Sequence, residues 1–187
     1  MKNKGFTLIE LVVVIVILGI LSVTALPKFL NYSTDAKNTS LSGLEGAVKS
    51  GLEMGYAKMA IAGLSDLAYV SNYSVQDWSP QPLPFGGCEK LDDGDICTFS
   101  FGYPYPEEHS FPKLVDHLDD EQEWAMIRGV VNSQNVLHIT FAWNAKKIPN
   151  TNGSGDSNAL KTQQCFITYH PATSQENHAT VTKTACL

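Results

Sequence analysis

Apolar residues crowd the front of this chain and then thin into a periodic stripe. Residues 6–26 are apolar almost without a break, and the one carboxylate among them is Glu10. Further on, apolar positions recur at Leu41, Leu44, Val48, Leu52 and Met59, at spacings of three, four, four and seven. That period places them on one face of an amphipathic helix. Asp35, Lys37, Asn38, Ser42, Glu45 and Lys49 fall to the opposite face. The pattern predicts one long helix over residues 6–62, with its outer half packed on a globular head. Pro27 is expected to bend or interrupt it, because proline lacks the N–H and crowds the preceding turn. Gly19 is a second weak point. Gly43, Gly46, Gly51 and Gly55 lower the helix propensity further, so tertiary packing must hold the outer half.

The period changes at Gly63. Residues 64–95 are mixed in character, with a turn-rich stretch over 79–88. Residues 96–101 alternate like a strand. Residues 111–129 read as a second helix, with Leu114, Leu118, Ala125 and Ile127 as its apolar positions. Residues 136–143 and 165–170 are the clearest strands. Residues 149–158 read only as a loop, and a last short strand is predicted over about 179–184. One long helix followed by a late antiparallel sheet is an α+β arrangement. The sheet would bury one face on Leu44, Val48 and Leu52.

The front segment is too long for the core of a removed signal peptide. Residues 6–26 would span about 31 Å as a helix, enough for a bilayer core of about 30 Å. No Ala-x-Ala cleavage site follows it. The one small residue at a plausible cut site is Gly5, which precedes the apolar run. A cut there would remove residues 1–5 and leave Phe6 as the new amino terminus. A carboxylate placed in hydrocarbon costs about 3 kcal/mol on insertion scales, so Glu10 needs a partner.

Gly5-Phe6-Thr7-Leu8-Ile9-Glu10, running into the apolar segment and closed by Pro27, resembles the class III leader of type IV pilins and type II secretion pseudopilins. The resemblance implies cleavage after Gly5 by a prepilin peptidase of the inner membrane and N-methylation of Phe6. It implies that Glu10 pairs with the Phe6 amine of a neighbouring subunit; two opposite charges in low dielectric attract strongly. It also implies a division into a leader (1–5), a membrane and assembly helix (6–27) and a head with the amphipathic half-helix (28–187). The whole would be shaped like a ladle. Leu26-Pro27-Lys28-Phe29-Leu30-Asn31, then Asp35-Ala36-Lys37, resembles the mannose-sensitive haemagglutinin pilins. So does Gln164-Cys165-Phe166-Ile167-Thr168-Tyr169-His170 before a final cysteine.

That subfamily implies a major subunit of a surface filament used for attachment, in which the stretch from Gly19 to Pro27 loses helicity. Its partners would be identical subunits, the inner membrane before assembly, the pilus assembly machinery and surface glycans. The same leader would also suit a minor pilin or a pseudopilin. An anchored periplasmic enzyme or carbohydrate-binding module, with its leader uncut, is the alternative of another class.

Charge and cysteines narrow these readings. The 187-residue chain has a formal net charge of -6. Loss of Lys2 and Lys4 with the leader would make it about two units more acidic, which argues against nucleic acid as a partner. Those two lysines favour a cytoplasmic amino terminus, leaving the rest of the chain on the oxidising side. Cys88, Cys97, Cys165 and Cys186 allow three disulfide pairings, and proximity favours Cys88 with Cys97 and Cys165 with Cys186. A zinc site is the alternative, but no C-x-x-C spacing occurs.

Little else suggests chemistry. Asp92-Asp93-Gly94-Asp95 falls short of a calcium loop and reads as a solvated turn. Asp116, Asp119, Asp120, Glu121 and Glu123 read as a solvated helix face. His109, His117, His138, His170 and His178 have no metal spacing. No nucleophile elbow or phosphate loop is present, so neither an enzyme nor a cofactor is expected. Trp78, Trp124, Trp143, Tyr103 and Tyr105 are read as packing rather than a sugar-binding surface.

Overall fold

The computed structural model describes residues 6–74, 79–90, 95–118, 122–148 and 157–187, with side chains for all of these except 24–31. Helix α1, Leu8–Ile61, has 54 residues and is about 80 Å long. It runs without interruption through Gly19 and Pro27, so neither breaks it here. Its end is set by Gly63, whose φ of 72° lies in the left-handed region. Gly63 N donates to Ala60 O at 3.0 Å and Leu64 N to Met59 O at 2.9 Å. This is the Schellman arrangement that satisfies the last carbonyls of a helix.

The described residues hold nine strands. Strands β1 (Val70–Ser71), β2 (Thr98–Ser100) and β3 (Tyr103–Pro104) form a small antiparallel sheet. Strands β4 (Trp124–Val131), β5 (Gln134–Phe141), β8 (Phe166–His170) and β9 (Thr180–Thr184) form the main one, in the order β4-β5-β8-β9. Strands β6 (Ala145–Ile148) and β7 (Ser157–Leu160) make a separate hairpin. The α+β order read from the sequence is the observed one.

Alternation along the strands decides what faces the helix. Leu137 and Ile139 on β5, Ile167 and Tyr169 on β8, and Val181 on β9 pack with Leu41, Leu44, Val48 and Leu52 of α1. Each fully buried aliphatic side chain contributes about 1.5–3 kcal/mol. A second cluster holds Met59, Val70, Leu83, Phe85 and Phe99 around the Cys88–Cys97 bridge. Cys165 is bonded to Cys186, which ties β9 to β8.

Several expectations need correction. No helix covers 111–129. Phe111–Lys113 is one 3-10 turn, and Trp124–Val131 is strand β4. Ala125, Met126 and Ile127 are all buried, because both faces of the strand are covered at its start, so the apolar positions there do not alternate. Leu114 and Leu118 are apolar for another reason: they pack from an irregular connector against the core. Asp116 lies in that connector and Glu123 just before β4, so they do not share a helix face; Asp119, Asp120 and Glu121 lie outside the described residues. Ser157 and Asn158, read as loop, open β7, while 149–156 lie outside the described residues. Asn38 is not on the outer face of α1. Its Nδ2 donates to Cys186 O at 3.2 Å, and its Oδ1 accepts from Cys186 N at 2.8 Å. Gly51 and Gly55 do more than weaken the helix, since both are buried and form a notch for Leu114 and Val115.

Candidate functional site

The first turn of α1 is built by Thr7. Its extended backbone (φ -81°, ψ 149°) makes it the N-cap. Thr7 Oγ1 accepts from Glu10 N at 3.3 Å, and Glu10 Oε2 in return accepts from Thr7 N at 2.8 Å and Thr7 Oγ1 at 2.6 Å. This reciprocal capping box satisfies two otherwise orphaned donors. It also gives the lone carboxylate partners within its own chain. The T-x-x-E spacing of Thr7 and Glu10 is the sequence signal for it.

Around this turn the surface is apolar. Every side chain described from residue 6 to residue 23 is exposed. A shallow groove of about 340 Å³ runs along Phe6, Ile9, Glu10, Val13 and Val14. A contiguous exposed apolar surface of this kind marks a membrane or protein contact. Among the described residues, no helix is long and apolar enough to cross a membrane. The apolar side chains described end at Val23, about 24 Å along the helix from Leu8. The span read to Leu26 relies on side chains outside the described set.

Of the other residues singled out, Gly5 lies outside the described residues and Phe6 is 78% exposed. Gly19 is helical with open space where a Cβ would stand. The Pro27 side chain lies outside the described set. Asp95 is ion-paired with Lys113, which holds its carboxyl below the usual range; Asp92, Asp93 and Gly94 lie outside the described residues. Asn72, which sequence reasoning missed, clamps the Cys88–Cys97 loop. Its Nδ2 donates to Lys90 O at 3.2 Å and Asp95 O at 2.8 Å, and its Oδ1 accepts from Cys97 N at 2.8 Å.

The aromatic residues do not form one surface. Tyr103 is buried against Tyr56, with ring centroids 5.1 Å apart. Tyr105 meets Tyr69 edge-on. Trp124 and Trp143 flank Phe141, and Trp78 lies outside the described residues. Among the described residues, no group of three or more His, Cys, Asp or Glu could hold a metal ion.

Residues 1–26 match the family described as the prokaryotic N-terminal methylation motif. The chain is 46% identical over 50 residues to the type IV narrow pilus major component PilA5 of Thermus thermophilus, covering 27% of this chain and 43% of that one. It is 46% identical over 51 residues to the type IV major alpha-pilin of Moraxella bovis, covering 27% and 32%. It is 31% identical over 88 residues to the type IV major fimbrial protein FimA of Dichelobacter nodosus, covering 40% and 55%. The chain thus spans from about a third to just over half of the length of these relatives. No solved structure matches. What is established is an N-terminal methylation motif on a chain similar to type IV pilins.

Proposed function

We propose that this chain is the structural subunit of a type IV pilus, a major pilin of the mannose-sensitive haemagglutinin class. It catalyses no reaction. Prepilin peptidase cuts after Gly5, and Phe6 becomes the N-methylated amino terminus. Residues 6–27 hold the subunit in the inner membrane, with the head in the periplasm. On assembly the apolar helices bundle into the filament core, and the heads form an extracellular surface that serves attachment, with surface glycans as its targets. The stretch from Gly19 to Pro27 is the part of α1 that loses helicity in the filament.

One observation carries this reading: the exposed apolar front of α1 with a single carboxylate at its start, inside the methylation motif. In the waiting subunit Thr7 provides the hydrogen bonds for Glu10. In the filament core, where low dielectric strengthens charge pairing, the Phe6 amine of a neighbour takes over. The test is electron microscopy of material sheared from cells, with the intact mass of its main component. A mass that begins at Phe6 and includes one methyl group is expected. A membrane protein that keeps residues 1–5 and forms no filaments would overturn the reading.

A further inference from the structure

Trp143 is one of several large apolar side chains left exposed on the head, at 48%. It is also rigidly held. Phe141 stacks between it and Trp124, at centroid distances of 5.9 and 4.7 Å. The turn that carries it is fixed by buried Asn144, which donates to Thr140 Oγ1 at 3.1 Å and Gln164 O at 2.8 Å and accepts from Thr162 N at 3.0 Å. Lys37 Nζ lies 5.1 Å from the ring centroid, and Lys161 Nζ donates to the Trp143 backbone carbonyl at 2.7 Å. On α1 the exposed acid nearest in sequence to Lys37 is Asp35. An ordered, half-exposed tryptophan is a residue type enriched at interface hot spots.

The same head carries a complementary recess. A cleft of about 510 Å³ opens between α1 and the start of β9. Leu52, Tyr103 and Val181, all buried, make its floor, and Glu53, His178 and Thr180 make its rim. Lys49, the cation on that rim, is bridged to Glu45 at 2.7 Å, which leaves Glu53 as the acid facing the opening. Lys37 and Glu53 are about 24 Å apart along α1. The knob and the recess are therefore different surfaces at different heights on one molecule.

We propose that Trp143, flanked by Lys37 and Lys161, docks into the Leu52–Glu53–Tyr103 cleft of a second copy of this chain. Two unlike surfaces meeting head to tail build an open helical array when the rotation between copies does not close into a ring. The indole fills the apolar floor and the ammonium groups meet Glu53. The docking rests on the filament reading above and adds where heads touch outside the helical core.

The test uses the full-length chain in cells that assemble it, with filament yield after shearing as the readout. Membrane levels and formation of both disulfides check folding. Trp143→Ala is expected to lower the yield at least about tenfold, in the range of hot-spot losses. Lys161→Glu and Glu53→Lys should each lower it, and the two together should restore it to within about twofold of wild type. Wild-type yield from Trp143→Ala overturns the docking, and so does failure of the charge exchange to rescue. Normal filaments that no longer attach to surfaces would place an outside ligand on Trp143, which also overturns it. If the wild-type chain makes no filaments at all, the pilus reading fails first and the docking falls with it.

Discussion

The two halves of α1 are equally helical, yet only one is buried within the chain. In the outer half, Leu41, Leu44, Val48, Leu52 and Met59 form one stripe, the first four meeting the main sheet and the connector and Met59 the cluster around the Cys88–Cys97 bridge, and polar residues fill most of the remaining surface. In the front half, apolar residues surround the axis and every described side chain is exposed. A helix that is apolar all round needs burial on all sides. The outer half finds its burial in its own chain, which makes it a matter of folding. The front half finds none there, so its burial requires lipid or other molecules, which makes it a matter of location and assembly. Glu10 belongs to the second problem, and the Asn38 clamp on Cys186 to the first.

The largest effect expected is on assembly. Glu10→Val makes the front half more apolar, so membrane insertion should persist. In the filament it would leave the Phe6 amine buried without its counter-charge. Removing one partner of a buried pair costs about 3–5 kcal/mol, which corresponds to more than about a hundredfold in association. Sheared filaments should almost vanish while membrane-bound subunit remains. Wild-type filament yield from this variant would break the distinction between the halves, since the front would then assemble on apolar contact alone.

A matched pair of truncations separates the halves by stability. Leu41 is fully buried, and Leu41→Ala should cost about 2–5 kcal/mol from lost burial and the cavity left behind. Val14 is 46% exposed, and Val14→Ala should stay within about 0.5 kcal/mol. Urea unfolding of the detergent-solubilised full chain, followed by tryptophan fluorescence, reads both. Equal losses would mean that the front half packs on the head.

How much of this was legible in sequence follows the same division. The stripe on α1 was readable because a single face is buried, so the period is clean. Strands β5, β8 and β9 were readable from their β-branched and aromatic residues between turn signals, even though β8 is buried at four positions in a row. Strand β4 was misread as helix because its start is covered on both faces, so Ala125, Met126 and Ile127 form an apolar run without alternation. The turn after it carried a signal of its own. Asn132 and Ser133 both have positive φ, 50° and 64°, in a two-residue hairpin loop that favours asparagine. The capping box at Thr7 was visible as a spacing but was hidden inside a stronger pattern. The notch at Gly51 and Gly55 was not legible, because its occupants lie about sixty residues further along the chain.

That notch gives the next prediction. A Cβ at Gly51 would stand 2.8 Å from Leu114 O and 2.9 Å from Val115 Cγ2. Gly51→Val should therefore cost about 1–3 kcal/mol from overpacking. Gly46, on the same half-helix, has nothing within 4 Å of that position, and Gly46→Ala should gain about 0.5–1 kcal/mol from helix propensity. Opposite signs from two glycines five residues apart would locate the packed face of α1; two gains would mean that the connector does not seat there.

The smallest effect concerns pH and belongs to the head alone, since no histidine lies in residues 6–23. On the outer face of the main sheet, His138 Nδ1 lies 3.0 Å from Thr168 Oγ1 and its ring meets Phe166 edge-on. The position of a Cβ on Gly129 would be only 2.5 Å from its Nε2, so the ring lies tight against β4. Burial first, and then the nearby His170, push the His138 pKa below its ordinary value of 6.5. The unfolded chain, with a pKa near 6.5, then binds a proton more readily than the folded one. Stability should hold above about pH 7 and decline as the pH falls through 6.5 toward the lower folded value. Glu45 and Asp95 are shifted down by Lys49 and Lys113, so their contributions are lost in a separate window below about pH 4.5. Unfolding midpoints measured from pH 7.5 to 5.5 should decline for wild type and decline less for His138→Gln. Identical slopes would remove His138 as the cause and leave the acid response to the other titrating groups of the head.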